Sequence, residues 1–340
     1  MNSREAVMAE KMRILIAYDG SDCAEAALDD LQKAGLPDAV EALVMSVSEI
    51  WLPPPPPSSF QILELAQAVN VPADLSRVYA QGSPGLEESQ SLANRAAARL
   101  RANFPNWVIT TQGSVGSPPR ELIRQADGWK PDLIVVGSHG RSKVERLILG
   151  SVSQGVLTHA RCSVRIARGR VEERGTPVRI LIGVDGSRPS ATAVAEVASR
   201  TWPTMSEVRL IAVNDPLTAT FVGKLIPTVR NAIKEANQAD RTWLKRILER
   251  SVDQLRSSDL KVSSDVFEGD PKQILTNTAG AWGADCIFVG SLGFSNRFER
   301  FLLGSVSAAV AARAHCSVEV VRSRKTFGGK NERQFEYARN

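Results

Sequence analysis

The chain has 340 residues and a formal net charge of +5, from 42 Lys and Arg residues against 37 Asp and Glu residues. This length predicts about two domains, each with its own core. Hydrophobic residues make up 43% of the chain, which excludes a disordered protein. No run approaches the ~18–20 apolar residues that cross a bilayer, and no basic block occurs. We therefore expect a soluble protein that binds neither membrane nor nucleic acid.

The N-terminus and the cysteines indicate a reducing compartment. Glu5 and Glu10 precede the first apolar run, which does not resemble a secretory signal. The cysteines form no CxxC pair, and we interpret all of them as packed, reduced thiols. They are Cys23, Cys162, Cys286 and Cys316. A cytoplasmic location follows as an expectation.

Short apolar runs alternate with helical patterns along the chain, which is typical of βαβ units and a parallel sheet. The predicted strands of the first half are Arg13–Tyr18, Ala42–Val47, Val108–Gln112, Leu133–Val136 and Ser163–Ala167. Those of the second half are Val178–Val184, Glu207–Val213, Lys261–Phe267, Cys286–Val289 and Ser317–Val321. The strands are continuously apolar, so we expect helices on both faces of the sheet.

The two halves are copies of each other. GSHGRSKVERLILGSVS, from Gly137 to Ser153, returns as GSLGFSNRFERFLLGSVS, from Gly290 to Ser307. ILIAYDGS, which starts at Ile14, returns as ILIGVDGS, which starts at Ile180. So long a period indicates duplicated globular domains. Copy one and copy two denote these halves below.

Charged, glycine-containing and proline-containing segments predict the domain boundaries. Residues 169–177 are charged and end in Gly and Pro, which predicts a linker between domains at 11–168 and 178–323. Residues 324–340 are polar, and we expect a disordered tail. The Pro53–Pro57 run, in a segment that copy two lacks, predicts a stiff extended loop.

The chemistry is expected at the carboxyl ends of the strands, where open parallel sheets bind ligands. Asp19 and Asp185 each end the first strand of their copy and precede Gly-Ser. Each carboxylate could accept hydrogen bonds from a sugar hydroxyl or a base, or it could organise a tight turn before the helix. The sequence leaves both interpretations open.

The glycine segment favours phosphate binding. Gly137 follows a strand and Gly150 precedes a helix, a layout that brings backbone N–H groups close to phosphate oxygens. Ser151 and Ser153 lie at the predicted helix N-terminus, which favours an anion. An ordinary serine N-cap explains one glycine and one serine, but not three glycines and two serines.

With these residues the chain resembles a tandem universal stress protein. ATP-binding members of that family carry a glycine, two residues, a glycine, nine residues and then Gly-Ser or Gly-Thr, which copy one matches with Gly137, Gly140 and Gly150-Ser151. The resemblance implies an α/β fold with two tandem domains, each an open five-stranded parallel sheet with helices on both faces. This architecture is Rossmann-like, of the adenine nucleotide alpha hydrolase-like kind. It also implies ATP as the ligand, with or without Mg²⁺.

The resemblance assigns ligand residues position by position. In copy one, the adenosine end would meet Ala17, Tyr18, Asp19 and Val47, the ribose-phosphate path would meet Val136 and Gly137, and the phosphates would meet Gly140, Gly150, Ser151, Val152 and Ser153. In copy two, the matching residues are Asp185, Val213, Gly290, Gly293, Gly304, Ser305 and Ser307. Ten residues rather than nine separate Gly293 from Gly304. We therefore expect copy one to hold most of the nucleotide.

Three functions remain open. The first is a non-catalytic, nucleotide-dependent module of the stress response, which we favour because GxxxxGK[ST] and HRD/DFG motifs are missing. The second is a weak ATP hydrolase or self-phosphorylating protein, with His139 as a general base, although a lone loop histidine is more often solvated. The third is a nucleotide-free scaffold. The histidines form no metal cluster.

The last strands are expected to join the copies. Universal stress proteins pair through this edge, and an exposed apolar edge strand is a liability. We therefore expect Ser163–Ala167 and Ser317–Val321 to meet at a pseudo-twofold interface, so that the tandem chain resembles a dimer within one molecule. A homodimer of the whole chain is the alternative assembly.

Overall fold

The computed structural model describes residues 11–49, 73–140, 149–168, 176–215, 227–256, 259–292 and 303–323, with the backbone alone at 73–83, 227, 229 and 230. The Pro53–Pro57 loop, the predicted tail at 324–340 and Gly293 lie outside these residues. Most of the predicted linker, residues 169–175, also lies outside them.

Each copy contains five strands and four helices within the described residues. The strands of copy one are β1 (Met12–Ala17), β2 (Val40–Ser48), β3 (Val108–Val115), β4 (Leu133–Gly137) and β5 (Ser163–Ala167). Its helices are α1 (Asp22–Asp30), followed by a 3₁₀ turn at Leu31–Lys33, then α2 (Ala73–Asn103), α3 (Pro118–Trp129) and α4 (Ser151–His159).

Copy two repeats this order. Its strands are β6 (Arg179–Val184), β7 (Glu207–Asn214), β8 (Lys261–Glu268), β9 (Cys286–Gly290) and β10 (Ser317–Val321). Its helices are α5 (Arg188–Ser199), α6 (Pro227–Leu255), α7 (Pro271–Trp282) and α8 (Ser305–Arg313). The predicted strands are all present, and β3 extends to Val115 because it pairs along β2 as far as Ser48.

The strands form one sheet of ten in the order β3-β2-β1-β4-β5-β10-β9-β6-β7-β8. Pairing is parallel inside each copy and antiparallel between β5 and β10. The predicted α/β class, with an open five-stranded parallel sheet in each copy, is confirmed. The order places β1 beside β4, which brings the Asp-Gly-Ser turn to the glycine segment.

Helices cover both faces of the sheet, but the two faces are organised differently. One face carries a single core that runs through both copies, and its members include Leu122 of α3, Val156 of α4, Leu275 of α7 and Val310 of α8. The opposite face carries two separate cores, one against α1 and α2 and the other against α5 and α6. Burial on both faces explains why inner strands such as β4 are continuously apolar. The expectation of continuously apolar strands is wrong for the edge strands β3 and β8, which are partly exposed and carry polar residues.

The β5–β10 junction contains charged side chains without exposed surface. Arg165 of β5 lies opposite Glu319 of β10, with 3.2 Å between Nη1 and Oε2, and both are 0% exposed. Burial disfavours the charged form of Arg165, but the Asp30 carboxylate outweighs this effect and raises the pKa of the guanidinium. The Arg165 guanidinium is therefore charged inside the sheet.

All four cysteines are free thiols. Burial raises the pKa of Cys162 and of Cys316 to about 12. It also raises the pKa of Cys286. These three thiols are thus protonated at neutral pH, as expected for packed side chains.

In the described part of the chain, no helix combines the length and the apolar character that a membrane crossing requires.

Candidate functional site

The first element of the site is the turn that leads from β1 into α1. Asp19 Oδ1 accepts a hydrogen bond from Ser21 N (3.0 Å), and Ser21 Oγ caps α1 by accepting from Ala24 N (3.2 Å). Gly20 has φ +78°, a conformation that side chains with a Cβ rarely adopt. The Asp-Gly-Ser sequence therefore builds this turn locally.

The glycine segment starts at the end of β4 and lies against this turn. A Cβ on Gly137 would lie 2.9 Å from Cys23 O in α1, so the strand end packs closely on the helix backbone. A Cβ on Gly140 would lie 2.9 Å from Asp19 Oδ2. Asp19 thus directs one carboxylate oxygen into its own turn and the other towards Gly140.

Two hydrogen bonds close the glycine segment although residues 141–148 lie outside the description. Gly150 N donates to Ser138 O (2.9 Å), and Ser153 Oγ donates to Gly137 O (2.6 Å). The start of α4 is therefore held beside the end of β4. Ser153 is 4% exposed, and its hydroxyl is used in the hydrogen bond to Gly137 O. Its backbone N–H is therefore the group that could bind a ligand.

The N-terminus of α4 carries donors that its own N-cap residue does not cap. Gly150 is the N-cap and has no side-chain hydrogen bond to offer, whereas Ser21 caps α1. The first helical hydrogen bond runs from Gln154 N to Gly150 O (2.9 Å), so the N–H groups of residues 151–153 precede the ladder. Together with the helix dipole, these donors suit an anion.

The expected adenosine residues divide between the two faces of the sheet. Ala17, Val47 and Val152 are half-buried against the core face that both copies share, and Val136 is buried in it. Tyr18 lies on the opposite face.

The side chain of Tyr18 packs in the core against α1 and α2. It is 3% exposed, its hydroxyl pairs with Glu25, and Arg95 Nη2 donates to it (2.7 Å). Burial, followed by the hydrogen bond to Glu25, raises the pKa of Tyr18. Because side chains alternate along a strand, only the backbone of Tyr18 faces the site.

His139 is more buried than a solvated loop side chain. Its Nδ1 lies 3.2 Å from Ser138 Oγ, and its Nε2 is buried without a hydrogen-bond partner among the described residues. The expectation of a solvated ring is therefore wrong for Nε2. The sequence signal was weak, since copy two has Leu292 at this place.

Copy two builds the same turn and the same closure. Asp185 Oδ1 accepts from Ser187 N (3.0 Å), and Gly304 N donates to Ser291 O (2.7 Å). Gly304 is the N-cap of α8 and, like Gly150, makes no side-chain cap hydrogen bond. The additional residue of copy two therefore leaves both ends of the loop joined as in copy one.

The remaining copy-two candidates occupy matching places. Val213 is half-buried against the shared core, and a Cβ on Gly290 would lie 2.7 Å from Ser190 N. Ser305 is exposed at the start of α8, and Ser307 Oγ donates to Ser291 O (3.1 Å). Among the described residues, no group of His, Cys, Asp and Glu could hold a metal ion.

Known proteins share this architecture. A universal stress protein from Mycolicibacterium smegmatis is 31% identical over 237 residues, which are 68% of this chain and 75% of that protein. Universal stress protein A homolog 2 of Coxiella burnetii is 37% identical over 83 residues, which are 24% of this chain and about half, 53%, of that protein.

The fold of this chain has a solved counterpart. A universal stress protein from Archaeoglobus fulgidus aligns with 92% of this chain and 99% of its own, at 20% identity and a TM-score of 0.58. An AMP-bound family protein from Arabidopsis thaliana aligns with 44% of this chain and 93% of its own, at 18% identity and a TM-score of 0.30. The model of the universal stress protein family matches residues 11–168 and 178–322. This chain belongs to the universal stress protein family and is a tandem member of it.

Proposed function

We propose that this chain is a nucleotide-binding regulatory protein that holds ATP, chiefly in copy one, without catalysing its turnover. The proposal includes domains at 11–168 and 178–323. The observation that carries it is the N-terminus of α4, where Gly150 leaves the first N–H groups uncapped and is tied to Ser138 O at 2.9 Å. Such a terminus favours an anion.

The described residues fit the parts of a nucleotide. The N–H groups of Ser151, Val152 and Ser153 suit phosphate oxygens. Gly140 has no Cβ, and a Cβ at this position would contact Asp19, so the glycine keeps the space next to the carboxylate open. In this proposal Asp19 accepts a hydrogen bond from a ribose hydroxyl. Ala17 and Val47 offer apolar surface to the base. Mg²⁺ enters the proposal only as a counter-ion of the phosphates.

Copy two is proposed as the weaker site. Its turn and loop closure repeat those of copy one, so the backbone donors of α8 are also uncapped. However, Gly304 is buried whereas Gly150 is half-exposed, so the N-cap of α8 is less accessible to a phosphate. The additional residue between Gly293 and Gly304 acts in the same direction, because phosphate recognition depends on donor positions.

Calorimetric titration with ATP tests the assignment through a matched pair of variants. Gly150→Val crowds His139 Cα, which would lie 3.3 Å from the new Cβ, and Gly304→Val crowds Ser291 O, which would lie 3.1 Å from it. We expect the copy-one variant to lose most of the ATP binding and the copy-two variant to lose little. Two equal sites in the unmodified protein, or binding that survives Gly150→Val, would contradict the proposal.

ATP hydrolysis is the second candidate function, because His139 Nε2 is buried next to the glycine segment without a partner among the described residues. Such an atom could accept a proton from water. Phosphate release by the purified protein separates the two functions. We expect no steady turnover, whereas a steady rate that His139→Ala abolishes would establish the enzyme.

A further inference from the structure

The strands that join the copies make reciprocal contacts. Arg168 N, directly after β5, donates to Ser317 Oγ at the start of β10 (2.8 Å). Arg322 N, directly after β10, donates to Ser163 Oγ at the start of β5 (3.1 Å). The two strands therefore exchange the same contact around a local twofold axis.

The arginine side chains repeat this symmetry at the helix ends. Arg168 Nη2 donates to Ala311 O in the last turn of α8 (2.6 Å), and Arg322 Nη2 donates to Leu157 O in the last turn of α4 (2.5 Å). Each copy thus satisfies carbonyl groups at the C-terminus of the other copy's last helix. Two identical copies would keep all of these contacts, so none of them distinguishes one copy from the other.

The residues on the axis break the symmetry. Arg165 and Glu319 are the third residues of their strands, and the register sets them opposite each other. Pairing two copies of β5 in this register would set Arg165 against a second Arg165. Pairing two copies of β10 would likewise set Glu319 against a second Glu319. Like charges directly opposite each other destabilise strand pairing.

Neighbouring charges strengthen this preference. Asp30 accepts from Arg165 Nε (2.6 Å) and Nη2 (3.1 Å) within copy one. Arg200 Nη1 donates to Glu319 Oε2 (3.0 Å) within copy two. Negative and positive side chains therefore alternate across the junction, in the order Asp30, Arg165, Glu319 and Arg200. Pairing β5 with a second β5, or β10 with a second β10, would place two like charges next to each other. A buried ion that loses its partner is strongly destabilising.

We propose that Arg165 and Glu319 form a charge key that makes the last strand of copy one recognise the last strand of copy two and reject its own kind. The partner of this edge is therefore the other half of the same chain. Because the linker keeps that half at high effective concentration, the chain closes on itself and does not form a homodimer through this edge.

Two complementary variants of the full chain test the key. Arg165→Glu makes both strand centres acidic, and Glu319→Arg makes both basic, so each variant loses its own junction. A mixture can rebuild one native junction between chains, since the first variant keeps Glu319 with Arg200 and the second keeps Arg165 with Asp30. We expect heterodimers in the mixture, about 100-fold tighter than the self-association of either variant.

Native mass spectrometry of the variants, made with tags of different mass, gives the readout. Arg209→Glu is the matched control, because it breaks an ion pair between two strands of copy two, with Arg209 Nη2 2.8 Å from Asp265 Oδ2. This control should remain monomeric with every partner. Circular dichroism checks that each variant is folded. A milder test mixes the single variants Arg165→Gln and Glu319→Gln, which can form the same native junction between two chains.

Three outcomes would overturn the charge key. They are a mixture that stays monomeric, single variants that self-associate as tightly as the mixture, and an unmodified chain that forms a dimer which these substitutions abolish.

Discussion

Gly140 faces Asp19 so closely that a Cβ at position 140 would lie 2.9 Å from Asp19 Oδ2. This contact joins the turn after β1 to the glycine segment after β4. The contact involves a flexible side chain, so crowding it should move the carboxylate and leave the fold intact.

Replacing Gly140 by alanine should therefore weaken ATP binding more than it weakens folding. We expect an affinity loss of about tenfold, which corresponds to about 1.4 kcal/mol, and a nearly unchanged unfolding midpoint. Gly128→Ala is the control, because a Cβ there meets nothing within 4 Å. Calorimetry and urea unfolding measure both effects, and an unchanged affinity for Gly140→Ala would remove Gly140 from the site.

Asp19→Asn separates the two interpretations of the aspartate. The amide oxygen can still accept from Ser21 N, so the turn survives and we expect stability to change by less than about 0.5 kcal/mol. The lost negative charge and acceptor should reduce ATP affinity about tenfold if Oδ2 binds the ribose. Asp185→Asn is the matched variant in copy two and should have a smaller effect on affinity. Equal ATP affinity of the unmodified protein, Asp19→Asn and Asp185→Asn would show that Asp19 organises the turn and does not bind the ligand.

Ser153→Ala should act on stability rather than on binding. Its hydroxyl donates to Gly137 O at 2.6 Å and is buried, so the substitution leaves a carbonyl without this donor. We expect a loss of about 1 kcal/mol in the free energy of unfolding. The exposed Ser151→Ala should cost less. A large loss of affinity in Ser153→Ala, with stability unchanged, would show that the hydroxyl contacts the ligand.

Glu25 gives a pH dependence of stability. Burial alone would raise the pKa of Glu25, but hydrogen bonds from Tyr18 and Arg99 outweigh burial and lower it. A carboxyl group with a lowered pKa in the folded state adds stability above its unfolded value, here 4.5, and loses it as the pH falls further.

Thermal unfolding across pH tests this effect with Glu25→Gln. The variant should melt below the unmodified protein at neutral pH, and the gap should narrow below about pH 4.5. A difference in melting temperature that widens in acid would contradict a lowered pKa of Glu25.

Much of this architecture could be predicted because it depends on local patterns. Continuous apolar runs such as that of β4 require cover on both faces, which indicates helices on each side of a parallel sheet. The Asp-Gly-Ser turn follows from residues that are adjacent in sequence, and Gly20 is needed for its positive φ. The repeated segments identified the tandem family before any contact was known.

Side-chain direction at the site could not be predicted in the same way. Tyr18 and Ser153 both fall within matched motifs, yet one side chain is buried on the opposite face and the other closes the loop. Burial of His139 Nε2 could not be predicted from the sequence either, because it depends on tertiary packing at the end of β4. These properties depend on packing between segments far apart in the chain.

The sequence by itself determined the tandem organisation, the succession of strands and helices along each copy and the position of the glycine motif, because these depend on hydrophobic period and local turn chemistry. The last strands of the copies were expected to meet, but only the tertiary structure decided the register of their pairing. The opposition of Arg165 and Glu319 depends on the register between two strands separated by most of a domain, and no local pattern encodes that register.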